Sequence, residues 1–129
     1  MTLQTRSLIL ALALILMATV TCSLSQGPGG AVTSFFRHLE KGEITEAQGL
    51  LAAKVVGRVD ASKLRAGLET MAREISAKQG IKNIQVQKEE VQGELATVET
   101  LITLGDGSTK ADTTKLVKEQ GAWKLDVSK

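Results

Sequence analysis

The strongest constraint on this chain lies in its last third, Ile81 to Val127, where three glycine turns divide four runs of strand character. The turns fall at Gln92-Gly93, Asp106-Gly107 and Gln120-Gly121. Ile84 and Val86 alternate with Gln85 and Gln87, the pattern of a half-buried strand. Leu95 to Leu104 is the longest run, with Ala96, Val98, Thr100, Ile102 and Leu104 on one face and Thr97, Glu99 and Thr103 on the other. The first of these faces is predicted to point at the helices. Asp106-Gly107 is the strongest hairpin signal and predicts a type I′ turn, in which both central residues take positive φ. Thr109 to Lys118 makes a third run. In the fourth, Trp123, Leu125 and Val127 alternate with Lys124, Asp126 and Ser128. Short turns between neighbouring strands predict an antiparallel meander.

The middle of the chain reads as helices. Val32, Phe35, Phe36 and Leu39 recur at the spacing of one helical face, and Gly42 ends that helix. Ile44, Ala47, Leu50 and Leu51 share a side of a short second helix. Lys54 to Val59 is β-branched and reads as a loop. Asp60 is placed to cap a third helix, whose stripe is Leu64, Leu68, Met71, Ala72 and Ile75 and whose stop is Gly80. Glu69 and Arg73 are spaced as an ion pair on its outer side. The predicted class is α+β, with three N-terminal helices packed on one face of a curved, cone-like, four-stranded antiparallel meander. Trp123, Leu125 and Val127 are expected to share a buried side with Val98 and Ile102, beneath the third helix.

The first residues read as a targeting label. Arg6 is followed by an unbroken apolar run, Leu8 to Ala18, which is short for a membrane span and suited to a secretory signal. Two cleavage positions fit. Thr19-Val20-Thr21-Cys22 is similar to the lipobox of bacterial lipoproteins, with Thr19 and Thr21 departing from the usual residues, and predicts acylation of Cys22. Cleavage after Ser25, with Ser23 and Ser25 as the small residues, is the alternative. The expected organisation is a signal peptide at residues 1–21, a lipidated Cys22 with a tether to residue 30, and one domain over residues 31–129. The expected location is the bacterial envelope, membrane-anchored and facing the periplasm or the exterior; a soluble exported form is the alternative. Cys22 is the single cysteine, so no internal disulfide forms within the chain.

The run Lys115 to Asp126, closing on Gly121-Ala122-Trp123-Lys124, resembles the last hairpin of a family of small bacterial lipoproteins in the nuclear transport factor 2-like superfamily. The Phe-rich first helix ending Leu39-Glu40-Lys41-Gly42 agrees with it, as do Ala47, Thr97-Val98 and Gly105-Asp106-Gly107. The resemblance covers about Gly30 to Val127. It implies a curved sheet wrapped around a helix, often with a pocket at the wide end, and no particular activity.

Charge and aromatic content exclude one class. Lys and Arg number 16 against 14 Asp and Glu, and the rings are Phe35, Phe36 and Trp123 with no Tyr, too little for a basic stripe or a stacking platform for nucleic acid. Superfamily enzymes that resemble ketosteroid isomerase pair a carboxylate with a Tyr or His. Here the single His38 falls off the stripe of its helix. Glu99 and Asp112 are the carboxylates within strands, and both are expected to face water. No catalytic constellation, metal-ligand spacing, phosphate loop or cofactor signature is present in the sequence. The expected function is a non-enzymatic module binding a small apolar ligand or an envelope protein. Phe35, Phe36, Leu68, Val98, Ile102 and Trp123 are the candidate pocket lining. A pocket enzyme of isomerase or hydrolase type, whose mark would be ionisable side chains in the cavity, and a homodimer through the outer sheet face are the alternatives.

Overall fold

The structure, a computed structural model, describes residues 26–127. The signal peptide, Cys22 and most of the tether lie outside the described residues. In chain order the described elements are α1 (Pro28–Glu40), α2 (Ile44–Gly49), α3 (Ala53–Arg58), α4 (Ala61–Ala77), β1 (Ile81–Gln92), β2 (Leu95–Leu104), β3 (Thr109–Glu119) and β4 (Ala122–Asp126).

α1 starts at Pro28, three residues ahead of the expected domain start, because proline suits a first helical turn that has no partner for its N–H. Its N-cap, Gly27, offers no side chain; instead Glu89, 60 residues away on β1, accepts the Gly29 N–H at 3.0 Å. Val32, Phe35, Phe36 and Leu39 are all buried, with the two phenyl rings edge-to-face at 5.5 Å. Each such side chain contributes roughly 1.5–3 kcal/mol through burial. α1 is the helix that lies on the sheet, touching β1, β2 and β4. α4 packs instead on α1 and α2, with Leu68 buried and Leu64, Met71, Ala72 and Ile75 partly so. Asp60 caps α4 as the sequence predicts, accepting the Ser62 N–H at 2.9 Å. Glu69 pairs with Arg65 at 3.0 Å and not with Arg73, which donates to Thr70.

The strands run β1-β2-β3-β4, all antiparallel. On β2 the even positions are buried and the odd ones are not, as the alternation predicts. The paired residues Thr100↔Asp112, Ile102↔Lys110 and Val98↔Thr114 therefore share the helix-facing side. β1 changes register twice, between Ile81 and Asn83 and between Val86 and Lys88. The edge of β4 is occupied: Leu125 donates to Leu50 O and accepts from Ala52 N, each at 2.8 Å, around a bridge to Leu51.

Four expectations are corrected. There are four helices, not three, among the described residues, because Ala53–Arg58 is helical and not a loop. Its cap comes from Glu119, whose carboxylate takes the Ala53 N–H at 3.1 and 3.2 Å from 66 residues away, so tertiary context overrides the β-branched propensity. The sheet is not a curved cone. It is an open four-stranded sheet; β4 is only five residues long, and its free edge is taken by Leu51 rather than by a closing strand. Trp123 and Leu125 are buried as expected, but Val127 is 49% exposed, and the helix above them is α1 rather than α4. The turn at Asp106-Gly107 is not type I′: Gly107 has φ 87° while Asp106 does not have positive φ. Gly107 N donates to Leu104 O at 2.9 Å and Leu104 N to Ser108 O at 2.8 Å, which makes a three-residue loop closed by a left-handed glycine. The paired positive angles occur instead at Gln120 (50°) and Gly121 (78°).

Candidate functional site

One junction sets the geometry of the site. α4 ends at Ala77 and the chain turns through Gln79 and Gly80 into β1. The β2–β3 loop docks on that corner: Gly105 N donates to Gly80 O at 2.8 Å and Asp106 N to Lys78 O at 3.0 Å. Carbonyls of the turn just past the helix end are thereby satisfied by a remote loop. The approach is so close that a Cβ on Gly105 would lie 2.0 Å from Gln79 O.

Beside this junction the second half of α4 stands off from the sheet and leaves a cleft of about 270 Å³. Its apolar walls are Phe36, Met71, Ile75, Ile81, Ile102 and Leu104. Glu74 from α4, Lys78 just past its end, and Thr109 and Lys110 from β3 complete the lining. The cleft is thus apolar with ionisable side chains, and no Ser or Cys is among its lining residues.

The pair after Ile102–Lys110 on the same face is Thr100–Asp112. Thr100 is 1% exposed, and its Oγ1 has no hydrogen-bond partner among the described residues. Asp112 is half-buried and not water-facing as expected, and its Oδ2 accepts from Thr114 Oγ1 at 2.6 Å. Glu99 is exposed on the outer face. Lys110 and Asp112 share strand parity with Leu116, and that parity is the sequence signal that places them inward.

The candidate lining residues divide among several places. Phe36 and Ile102 line the cleft. Phe35 and Leu68 line a second groove of about 330 Å³ along the N-terminal half of α4, bordered by Leu64, Gly67, Val59 and Val127. Val98 is fully buried, and Trp123 is buried with Lys118 Nζ 5.6 Å from its ring centre; neither lines these two clefts. Met71 borders both clefts. His38 is half-buried on α1, with Nδ1 2.5 Å from Glu43 Oε2 and away from both clefts. No group of three or more His, Cys, Asp or Glu is placed to hold a metal among the described residues. No helix among them is long and apolar enough to cross a membrane.

Glu40 fastens α1 to the start of β1 next to the cleft. Its Oε1 accepts the Ile81 N–H at 2.9 Å and its Oε2 pairs with Arg37 at 2.9 Å. Burial pushes its carboxyl up, but the Ile81 N–H, Arg37 and Lys41 together outweigh burial and hold it below its ordinary value of 4.5. A carboxyl lowered in the folded state stabilises the fold fully above its unfolded value, and that contribution is lost as pH falls through the lower folded value. The expected result is an acid limb below about pH 4.5 in thermal unfolding, flattened in a Glu40→Gln chain that is itself about 1–2 kcal/mol less stable at pH 7. Parallel acid limbs in the two chains would remove Glu40 from this role.

No protein-family model matches the chain, and no curated protein matches it by sequence. Solved structures do match. A Campylobacter jejuni protein, named provisionally as an NTF2-like transpeptidase, superposes with a TM-score of 0.67 at 14% identity, over 78% of this chain and 97% of its own. A SEC-C motif containing protein from Rhodopseudomonas palustris gives 0.52 at 14% identity, over 78% and 77%. A de novo designed protein of the NTF2 fold gives 0.51 at 20% identity, over 72% and 75%. Residues 26–127 therefore adopt the NTF2-like α+β fold.

Proposed function

We propose that this domain binds a small, mainly apolar ligand in the cleft between α4 and the sheet, and that the chain is exported and anchored through acylated Cys22. The observation that carries the first part is the cleft itself, apolar on its walls and ionisable at Glu74, Lys78 and Lys110. Such a mixture, a hydrophobic bed with few polar groups that orient the guest, is the usual make-up of a small-molecule site. Export and anchoring rest on the N-terminal apolar run and the lipobox-like Thr19-Val20-Thr21-Cys22.

A second reading, a pocket enzyme, is favoured by the same ionisable lining, which a purely binding cleft does not require, and by the name of the Campylobacter jejuni protein. Glu74 would serve as its acid or base beside Lys78 and Lys110. A homodimer through the outer sheet face has less support, since that face carries exposed Lys88, Glu99, Thr113 and Lys115.

One measurement bears on both parts of the main reading. Native mass spectrometry of the full-length gene product, purified from a bacterial envelope, should give a mature mass starting at diacylated Cys22 and a retained small molecule. An Ile75→Trp chain, with its cleft filled, should lose the guest and keep the anchor. An unmodified start at Gln26 would overturn the anchoring, and a guest retained equally by Ile75→Trp would place the ligand elsewhere.

A further inference from the structure

We propose that the groove along the N-terminal half of α4 is a second ligand site, and that it takes a short, single-chain aliphatic carboxylate, with the chain in the groove and the carboxylate on Lys63. The proposal is independent of the cleft between α4 and the sheet. In the groove, Phe35, Leu51 and Leu68 are buried, whereas Val59 and Val127 are 40% and 49% exposed, so one apolar surface runs from the core out to water. At 100° per residue, Lys63, Gly67, Met71, Leu64 and Leu68 follow one another in that order across about 140° of α4. All five line the groove, and Gly67 lies between the cation and the apolar stripe. Neither backbone nor packing calls for a glycine there. Gly67 is inside a 17-residue helix, its φ is not positive, and a Cβ would meet nothing within 4 Å. Glycine at such a position weakens the helix, whereas a larger side chain would occupy the groove.

Charge selects the head group. Lys63 is the one lining residue with a charged side chain, and among the described residues its Nζ has no ion pair or hydrogen bond. The carboxylates adjacent in sequence to lining residues are already engaged. Asp60 takes the Ser62 and Lys63 N–H groups at 2.9 and 3.3 Å, at the positive end of α4. Glu69 pairs with Arg65 at 3.0 Å and Asp126 with Lys54 at 2.5 Å. Arg58, next to Val59, adds an exposed cation. A positive rim is left beside an apolar bed, and it complements an anion with an apolar body. A cationic head would be repelled by Lys63, and a polar body would give up water without finding partners. At about 330 Å³ the groove is near the lower end of the usual range of about 300–1,000 Å³, which suits one short chain.

The test uses the full-length chain with octanoate and octylammonium as probes, followed by amide NMR shifts, together with thermal unfolding. Octanoate should shift Gly67 and Val127 and bind about tenfold more tightly than octylammonium, a preference that narrows at high salt. Lys63→Met should lose the preference. Gly67→Leu should melt no lower than the parent, since it removes a mid-helix glycine into open space, and should lose octanoate binding. Ile75→Trp, with the other cleft filled, should keep it. Equal binding of the two probes, no binding of octanoate, or undiminished octanoate binding by Gly67→Leu would overturn the proposal. A Gly67→Leu chain that melts lower would show the groove already closed in solution, with the same consequence. Shifts centred on Ile75 and Ile102, abolished in Ile75→Trp, would put the chain in the other cleft; this site would then fall while the cleft reading stands.

Discussion

A Gly105→Ala chain is expected to be about 3–5 kcal/mol less stable than the parent, with Tm lower by roughly 15 °C or more. The added methyl would lie 2.0 Å from Gln79 O and 2.7 Å from Gln79 C, and both are backbone atoms with no rotamer to move away. Relief requires the β2–β3 loop to lift off the α4–β1 corner. That motion breaks Gly105 N to Gly80 O and Asp106 N to Lys78 O together, and it opens one end of the cleft. The control is the same substitution where there is room. Gly67 lies inside α4, exposed, with nothing within 4 Å of a Cβ, so Gly67→Ala should raise stability by roughly 0.5–1 kcal/mol. Thermal unfolding followed by circular dichroism reads both. Equal effects at the two glycines would show that the loop does not dock as described.

Leu125→Ala should cost about 2–5 kcal/mol, whereas Val127→Ala, two residues on and of the same strand parity, should change stability by no more than about 0.5 kcal/mol. Leu125 is 1% exposed and stands opposite Leu116 with α1 above, so its loss leaves a cavity. Val127 lies past the end of β4 and is half in water. Chemical denaturation of both variants gives the comparison, and a costly Val127→Ala would restore the deeper last strand that the alternation predicts.

The strands and the helix stripes were legible because they depend on local periodicity. Ala96, Val98, Thr100, Ile102 and Leu104 are buried as their alternation predicts, and Val32, Phe35, Phe36 and Leu39 as their helical spacing predicts. What could not be read depends on residues far apart in the chain. α3 forms where Glu119 supplies its cap, and α1 is fastened by Glu89; no window around either helix contains its partner. Gly105 looks like an ordinary turn residue until Gln79 is set against it. The cone failed for a related reason: nothing near Ala122–Asp126 announces that Leu51 will take the outer edge of that strand. The cleft was legible in part. Phe36 and Ile102 followed from apolar pattern, but Glu74, Lys78 and Lys110 come together only through the corner between α4 and β1. Strand parity with Leu116 placed Lys110 and Asp112 inward, and their charge argued the other way.

The two rims of the sheet are unequal, and this bears on how the protein tolerates crowding. With β4 paired at Leu125 to the Leu50–Ala52 segment, the longer run of open backbone amides and carbonyls among the described residues lies along β1. There the two register shifts break the rim into short stretches, and Lys82, Lys88, Glu89 and Glu90 stud it with charge. Fibrillar growth needs a long, even template, and among the described residues neither rim of the sheet offers one.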